Sequence, residues 1–169
     1  MSFFVVLLLI STFLCSLVTG FVFTFAVIVM PGLTKLDDSE FVRAFQVTDE
    51  IIQNNQPIFM FVWIGSIISV LSTMVMSFMT PNFVENWLVI ATGFVYLLRV
   101  QGLTIFVHLP LNKRIQHVNV GETNPELLHK ERILFEARWT HFNKLRTIIA
   151  CIVTASFMIS LSMNLHKIW

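Results

Sequence analysis

From Phe3 to Met30 the chain runs without one charged residue. Helical backbone advances 1.5 Å per residue, so about 20 apolar residues cross the hydrocarbon of a bilayer. This run is longer than that. Three further apolar stretches reach the same length, from about Pro57 to Met79, Trp87 to Val107 and Leu145 to Leu165. Inside hydrocarbon every backbone N–H and C=O must find its partner within the protein, and continuous apolar runs manage this only as helices. The expected fold is therefore all-α, a four-helix transmembrane bundle formed by one domain over residues 1–169. Hydrophobic residues make up 56% and charged residues 12% of the chain, against about 25% charged in ordinary soluble domains. A soluble domain of this length has too little interior to hide so much apolar surface. The first run reads as an anchor, not a cleaved signal, since no Lys or Arg precedes it and it outlasts a signal core. Net charge is +1, which leaves no nucleic-acid footprint; the bilayer is the expected partner.

Small residues recur every four positions in two spans: Thr12, Ser16, Gly20 and Thr24, then Gly65, Ser69, Thr73 and Ser77. Such rows let helices approach closely in lipid and read as packing seams. Cys15 and Cys151 lie within apolar runs and read as packing residues. The two long connections carry most of the basic residues, Lys35 and Arg43 in the first and Lys113, Arg114, Lys130, Arg132, Arg138, Lys144 and Arg146 in the second. Lys167 alone marks the other side. Basic loops stay cytoplasmic, so both long loops are expected there, with both termini opposite. Each loop should hold a helical extension. Asp37-Asp38-Ser39-Glu40, with Ser as the cap, precedes an apolar stripe of Phe41, Val42, Phe45 and Ile52. Asn124-Pro125-Glu126 looks like a cap with proline at the first helical position, starting one long helix that continues through span four.

Polar residues inside spans carry most of the functional information. Arg99 sits near the middle of span three, where arginine costs about 2.5–3.5 kcal/mol on the insertion scale. It is expected to face a cavity, the bundle interior or a partner, or else to form a structural ion pair or snorkel toward the interface. Gln101, Thr104 and His108 share a face nearly opposite Arg99 at 100° per residue. Span three is thus polar on two sides, either surrounded by the other helices or deformed near Gly102, with Pro110 ending or kinking it. His108 is a candidate base, because imidazole titrates near neutrality. His117, His129 and His166 sit in solvated positions. A metal held by His108, His141 and Asp49 is conceivable, but no ligand spacing supports one. The amide-rich stretch Gln53-Asn54-Asn55-Gln56 either caps helix ends or lines a polar pocket. No phosphate loop, dinucleotide fingerprint, haem-attachment motif or nucleophile elbow is present.

Several motifs stand at defined distances from the spans. Val29-Met30-Pro31-Gly32-Leu33 ends span one. Phe45-Gln46, then Asp49, Asn54 and Pro57, lead into span two. Pro110-Leu111-Asn112 follows span three, and Arg138-Trp139 with Asn143 and Arg146 leads into span four. Over about Gly20 to Thr147 this layout resembles the anthrone oxygenase-like family of small four-helix membrane proteins. Two departures stand out: His108 occupies a position where the family often has Asn, and so does Asp49. The resemblance implies oxidation of an anthrone to an anthraquinone by oxygen. That chemistry needs a base, a cation for the anthrolate oxygen and a flat apolar cavity. Asp49 or His108 would be the base, and Arg99 or Arg138 would hold the oxygen. Trp139 and the phenylalanines would face the rings. Asn54, Gln101, Asn112, Asn143 and Arg146 would complete a substrate site, with no cofactor needed in principle.

Three functions remain open on the sequence. An oxidoreductase acting on a lipophilic aromatic or quinone-like molecule predicts a closed pocket at the loop end, where Asp49, His108, Asn112, Arg138 and Asn143 converge. A non-catalytic assembly protein, possible also as a homo-oligomer, predicts an uncommitted loop face. A small transporter predicts a polar path from both sides.

Overall fold

Each apolar run lies within one continuous helix. In the computed structural model, which describes residues 2–80 and 86–166, these are α1 (Phe3–Leu33), α3 (Pro57–Met79), α4 (Trp87–Gln116) and α5 (Pro125–His166). A fifth helix, α2 (Asp38–Gln53), stands in the first long connection. Lys167 and residues 81–85 of the short connection between α3 and α4 fall outside the described residues. At 42 residues α5 extends for about 63 Å, about twice the hydrocarbon thickness of a bilayer, and is unbroken as its sequence implied. The Asn124 side chain caps it, accepting from the Glu126 N–H at 2.9 Å.

The four long helices form a ring in which α1 packs between α3 and α5, and α4 between the same two. The core of the ring is Leu8, Cys15 and Val22 from α1, Val70 and Met74 from α3, Val89, Tyr96 and Val100 from α4, and Ala150, Val153 and Phe157 from α5. Outward-facing residues such as Phe61, Ile68, Leu98, Phe106 and Ile152 remain exposed, as lipid contact requires. Apolar surface gives no net drive between helices in lipid, so packing and polar bonds hold them together. Ser11 meets Thr73 at 2.9 Å, and Thr19 meets Thr154 at 2.8 Å. The α3 row behaves as a seam, with Ser69, Thr73 and Ser77 buried. The α1 row does not: Gly20 and Thr24 are exposed, and Thr24 bonds its own helix at the Gly20 carbonyl. A strict four-residue repeat drifts about 40° per step, which carries the end of this row out of the contact.

Two helices run further than their prolines suggested. α1 continues through Pro31 to Leu33, and α4 through Pro110 to Gln116. Both prolines are preceded by π-helical turns, Phe25–Val29 and Thr104–His108. There the bond reaches back five residues, Met30 N–H to the Phe25 carbonyl and Leu109 N–H to that of Thr104. The wider turn accommodates the missing proline donor that would break a regular helix. A second π segment in α4, Tyr96–Gln101, places deformations on both sides of Gly102.

α2 lies across the ends of α4 and α5. Its buried face, Phe41, Val42 and Phe45, joins Met30, Ile115, Leu128, Phe135 and Trp139 in a second core. The cap is Asp37 and not Ser39. Its carboxylate accepts from the Glu40 N–H at 2.9 Å while Glu40 reaches back to the Asp37 N–H, the reciprocal capping box. The Glu40 amide and the Ser39 hydroxyl together hold the Asp37 carboxyl below its ordinary range. At Asp38, burial pushes the carboxyl up, but bonds and charge from His129 and Arg132 outweigh it and hold it low. Arg132 also donates to the Leu36 carbonyl at 2.9 Å and lies 4.7 Å over the Phe41 ring, clasping the start of α2 to α5.

Candidate functional site

A cavity of about 400 Å³ opens at the end of the bundle that carries both long connections. Six aromatic rings stand in its walls: Phe21 and Phe25 from α1, Phe45 from α2, Phe59 and Trp63 from α3, and Trp139 from α5. The rings brace one another. Phe59 stacks on Trp63 with centroids 5.3 Å apart, and Phe21 meets Phe59 edge-on at 5.1 Å. Phe25 and Phe45 contact Trp139 at 5.6 and 5.7 Å.

Polar groups enter this apolar chamber at three levels. At its mouth the buried Asp49 carboxylate accepts from Asn112 Nδ2 at 2.6 Å, Gln53 Nε2 at 3.0 Å and Gln116 Nε2 at 3.2 Å. Asn112 in turn accepts from Trp139 Nε1 at 2.9 Å. Asp49 therefore fixes Asn112, and Asn112 fixes the indole. With three amide donors on its oxygens the carboxylate is engaged as an acceptor.

At the middle level stands His108, 3% exposed. Its ring packs edge-on against Trp139 at 5.0 Å, with the Phe142 backbone as a weak polar neighbour. Neither ring nitrogen has a well-formed hydrogen bond among the described residues. Native structures seldom leave buried imidazole nitrogens unmatched, so the ring has hydrogen-bonding capacity left for a bound molecule.

At the deep level lie Arg146, Thr104 and Gln101. The Arg146 guanidinium is 4% exposed. It donates to Thr104 Oγ1 at 2.9 Å and to Asn143 Oδ1 at 2.7 Å, and Nε is left without a partner. Asn143 is held by the Val22 carbonyl at 3.2 Å. No carboxylate pairs with Arg146 among the described residues, so a positive charge faces the cavity against neutral neighbours. Gln101 Nε2 reaches the Tyr96 hydroxyl at 2.8 Å, which meets Ser66 Oγ at 2.6 Å, and Ser66 donates to the Trp63 carbonyl at 2.6 Å. Counting protons fixes the direction. Ser66 spends its one proton on Trp63, so Tyr96 donates to Ser66 and accepts from Gln101. The Gln101 Oε1 is left unpaired as an acceptor.

Six of the expected residues line this cavity: Asp49, Gln101, His108, Asn112, Trp139 and Arg146. Asn143 stands behind Arg146. Three lie elsewhere. Arg99 is exposed on the outside of α4, on the face opposite Gln101 and His108, and Arg138 is exposed on the outside of α5. Asn54 caps α2, followed by Asn55 at φ 57°. Gln56 caps α3 by accepting from the Phe59 N–H, while Gln53 and Asn55 line the cavity, so the amide-rich stretch supplies both helix ends and pocket wall. His141 is exposed and off the cavity wall, so His108, His141 and Asp49 do not form a ligand set.

Unforeseen in the site were Gln116, which completes the Asp49 cluster with Gln53, and the four-residue spacings Phe21/Phe25 and Phe59/Trp63. Those spacings put two rings on one helix face in each case and were available as a signal. No curated protein and no solved structure matches the chain. A family model described as anthrone oxygenase matches residues 58–156, more than half of the chain. The match takes in α3, α4 and α5 as far as residue 156, with His108, Asn112, Trp139 and Arg146 inside it. The chain belongs to the anthrone oxygenase family.

Proposed function

We propose that this protein oxidises a flat, lipophilic anthrone-like molecule to a quinone with molecular oxygen, in a chamber at the cytoplasmic end of the bundle. The observation that carries the reading is the pairing of an unpartnered imidazole, His108, with an uncompensated guanidinium, Arg146, inside an aromatic-walled cavity. A cavity of this size falls within the range of small-molecule sites, about 300–1,000 Å³.

The chemistry divides between these groups. His108 removes a proton from the ring methylene and leaves an electron-rich anthrolate. Arg146 stabilises the oxyanion, the charge that develops in the step. The carbanion carbon passes electrons to oxygen and forms a C–O bond, giving a hydroperoxide after protonation by His108. Loss of water then breaks the O–O bond and removes the remaining hydrogen on that carbon, leaving the second carbonyl. One anthrone and one oxygen give one anthraquinone and one water. Trp139, fixed through Asn112 and Asp49, holds the ring plane beside His108.

The test is turnover of anthrone by protein in lipid vesicles, followed by oxygen uptake and quinone absorbance. The expected result is equal consumption of oxygen and anthrone above the spontaneous rate, without hydrogen peroxide. Hydrogen peroxide in equal amount, or a rate equal to that of empty vesicles, would reject the reading.

A further inference from the structure

We propose that the cavity fills sideways from the bilayer, through a slit between α3 and α4 bounded by Met60, Ile67, Ile105 and Leu109. The inference rests on the cavity assigned above as a substrate site and adds its route of entry and the phase that supplies the ligand.

The two helices are joined at one end and parted at the other. α3 packs along the first part of α4, Trp87–Val95, and has no comparable packing against the rest of it. At the joined end Gly93 lets the helices touch, since a Cβ there would collide with Met74. The last bond between them is that of Ser66 to Tyr96. Beyond it α4 passes through two π-helical segments, and the cavity occupies the gap. Ile105 and Leu109 line the cavity while being 49% and 38% exposed, which puts both at an open edge of the chamber. Ile105 belongs to an apolar span, and its exposed neighbour Phe106 faces the same surroundings.

The rim changes character along its length. From Ile105 to Lys113 it runs about 12 Å along α4, ending at Lys113 with Asn55 and Thr48 opposite. Its upper part is apolar, like the span that carries Ile105; only its lower end is polar. A molecule arriving from water would first cross the Asp49 amide cluster. One dissolved in the bilayer reaches Trp63 and Arg146 past four aliphatic side chains. The ligand is therefore a membrane-partitioned aromatic.

The test uses the full protein in phosphatidylcholine vesicles and 1,8-dihydroxyanthraquinone as the probe, its binding followed by quenching of tryptophan emission. Ile105→Trp narrows the slit. Phe106→Trp, outward-facing and off the cavity wall, is the control. Association and dissociation should both slow by about 10-fold in Ile105→Trp, a shift within the range seen among variants of one site. Affinity should change little, and the control should match wild type. The wild-type rate should follow the mole fraction of probe in lipid, not its aqueous concentration. Rates unchanged in Ile105→Trp, or set by aqueous probe, would overturn lateral entry and place the entrance at Lys113 and Asn55. Failure of wild type to bind the probe would overturn it as well. Lateral loading without any oxidation of anthrone would support this route while rejecting the oxygenase reading.

Discussion

Replacing Arg146 with methionine removes the cation assigned to the oxyanion while keeping a side chain of similar reach. The guanidinium is 4% exposed, has no carboxylate partner, and is fixed by Thr104 at 2.9 Å and Asn143 at 2.7 Å. Losing one preorganised donor to a developing oxyanion costs about 10²–10³ in kcat, or about 2.7–4 kcal/mol. The effect on folding is smaller. Two hydrogen bonds from a charged donor are lost, each contributing about 1.5–3 kcal/mol. Against this, a buried charge with no counter-ion disappears, and its desolvation had cost several kcal/mol. Thr104 keeps its bond to the Val100 carbonyl, and Asn143 keeps Val22. The variant should therefore fold, bind quinone and turn over anthrone about 10²–10³ times more slowly. Arg146→Lys should fall between the two, since lysine keeps the charge but lacks the planar fork that reaches both neighbours. The assay is oxygen uptake in vesicles, beside a thermal melt of the same sample. A folded Arg146→Met with kcat within about 3-fold of wild type would refute the assignment.

His108→Phe keeps a ring against Trp139 but removes the proton acceptor; turnover should fall by about 10²–10⁴ with quinone binding retained, and unchanged turnover would exclude His108 as the base. Arg99→Leu should leave turnover unchanged and raise the yield of inserted protein, because an exposed arginine within an apolar span is removed; loss of activity would bring Arg99 into the mechanism. Asp49→Leu strands amide donors of Asn112, Gln53 and Gln116, each worth about 1–3 kcal/mol when unsatisfied and buried. A lower Tm and altered Trp139 emission are expected, and an unshifted melt would show that the cluster does not hold the site. The Asp37 and Asp38 carboxyls are held below their ordinary range by the Glu40 amide and by His129 and Arg132. Depressed values in the folded state mean that their stabilisation is complete above the ordinary carboxylate range and lost as pH falls through the lowered values. Hydrogen-exchange protection at the start of α2, taken relative to the intrinsic rate, should be constant near neutrality and fall only in acid; a loss of protection on raising the pH would contradict the sign.

Four membrane helices followed from the sequence because backbone in hydrocarbon has so few solutions. Length and absence of charge set those helices without any knowledge of neighbours. The opposition of Arg99 to Gln101 and His108 was legible for a similar reason, since 100° per residue holds roughly even through two π segments. Trp139, Asn143 and Arg146 share a face by the same arithmetic, four and then three residues apart, while Arg138 sits about 100° away from Trp139. That arithmetic stood against Arg138, which the family resemblance nonetheless put in the site.

Which face of each helix turned inward was a different matter. Spans that are apolar all round carry little directional pattern, so a small-residue row in α1 looked the same as the one in α3, although only the latter is buried. Arg99 looked like the catalytic cation because its cost in lipid is high, and only the placement of α4 in the ring turned it outward. The tertiary structure also decided that Arg146 stands without a counter-ion, that Asp49 is occupied by three amides, and that α3 and α4 part below Ser66 and Tyr96. These depend on contacts between residues many positions apart, Asn112 with Asp49 and Arg146 with Thr104 among them. Local periodicity fixes what each helix is; only packing fixes what its side chains meet.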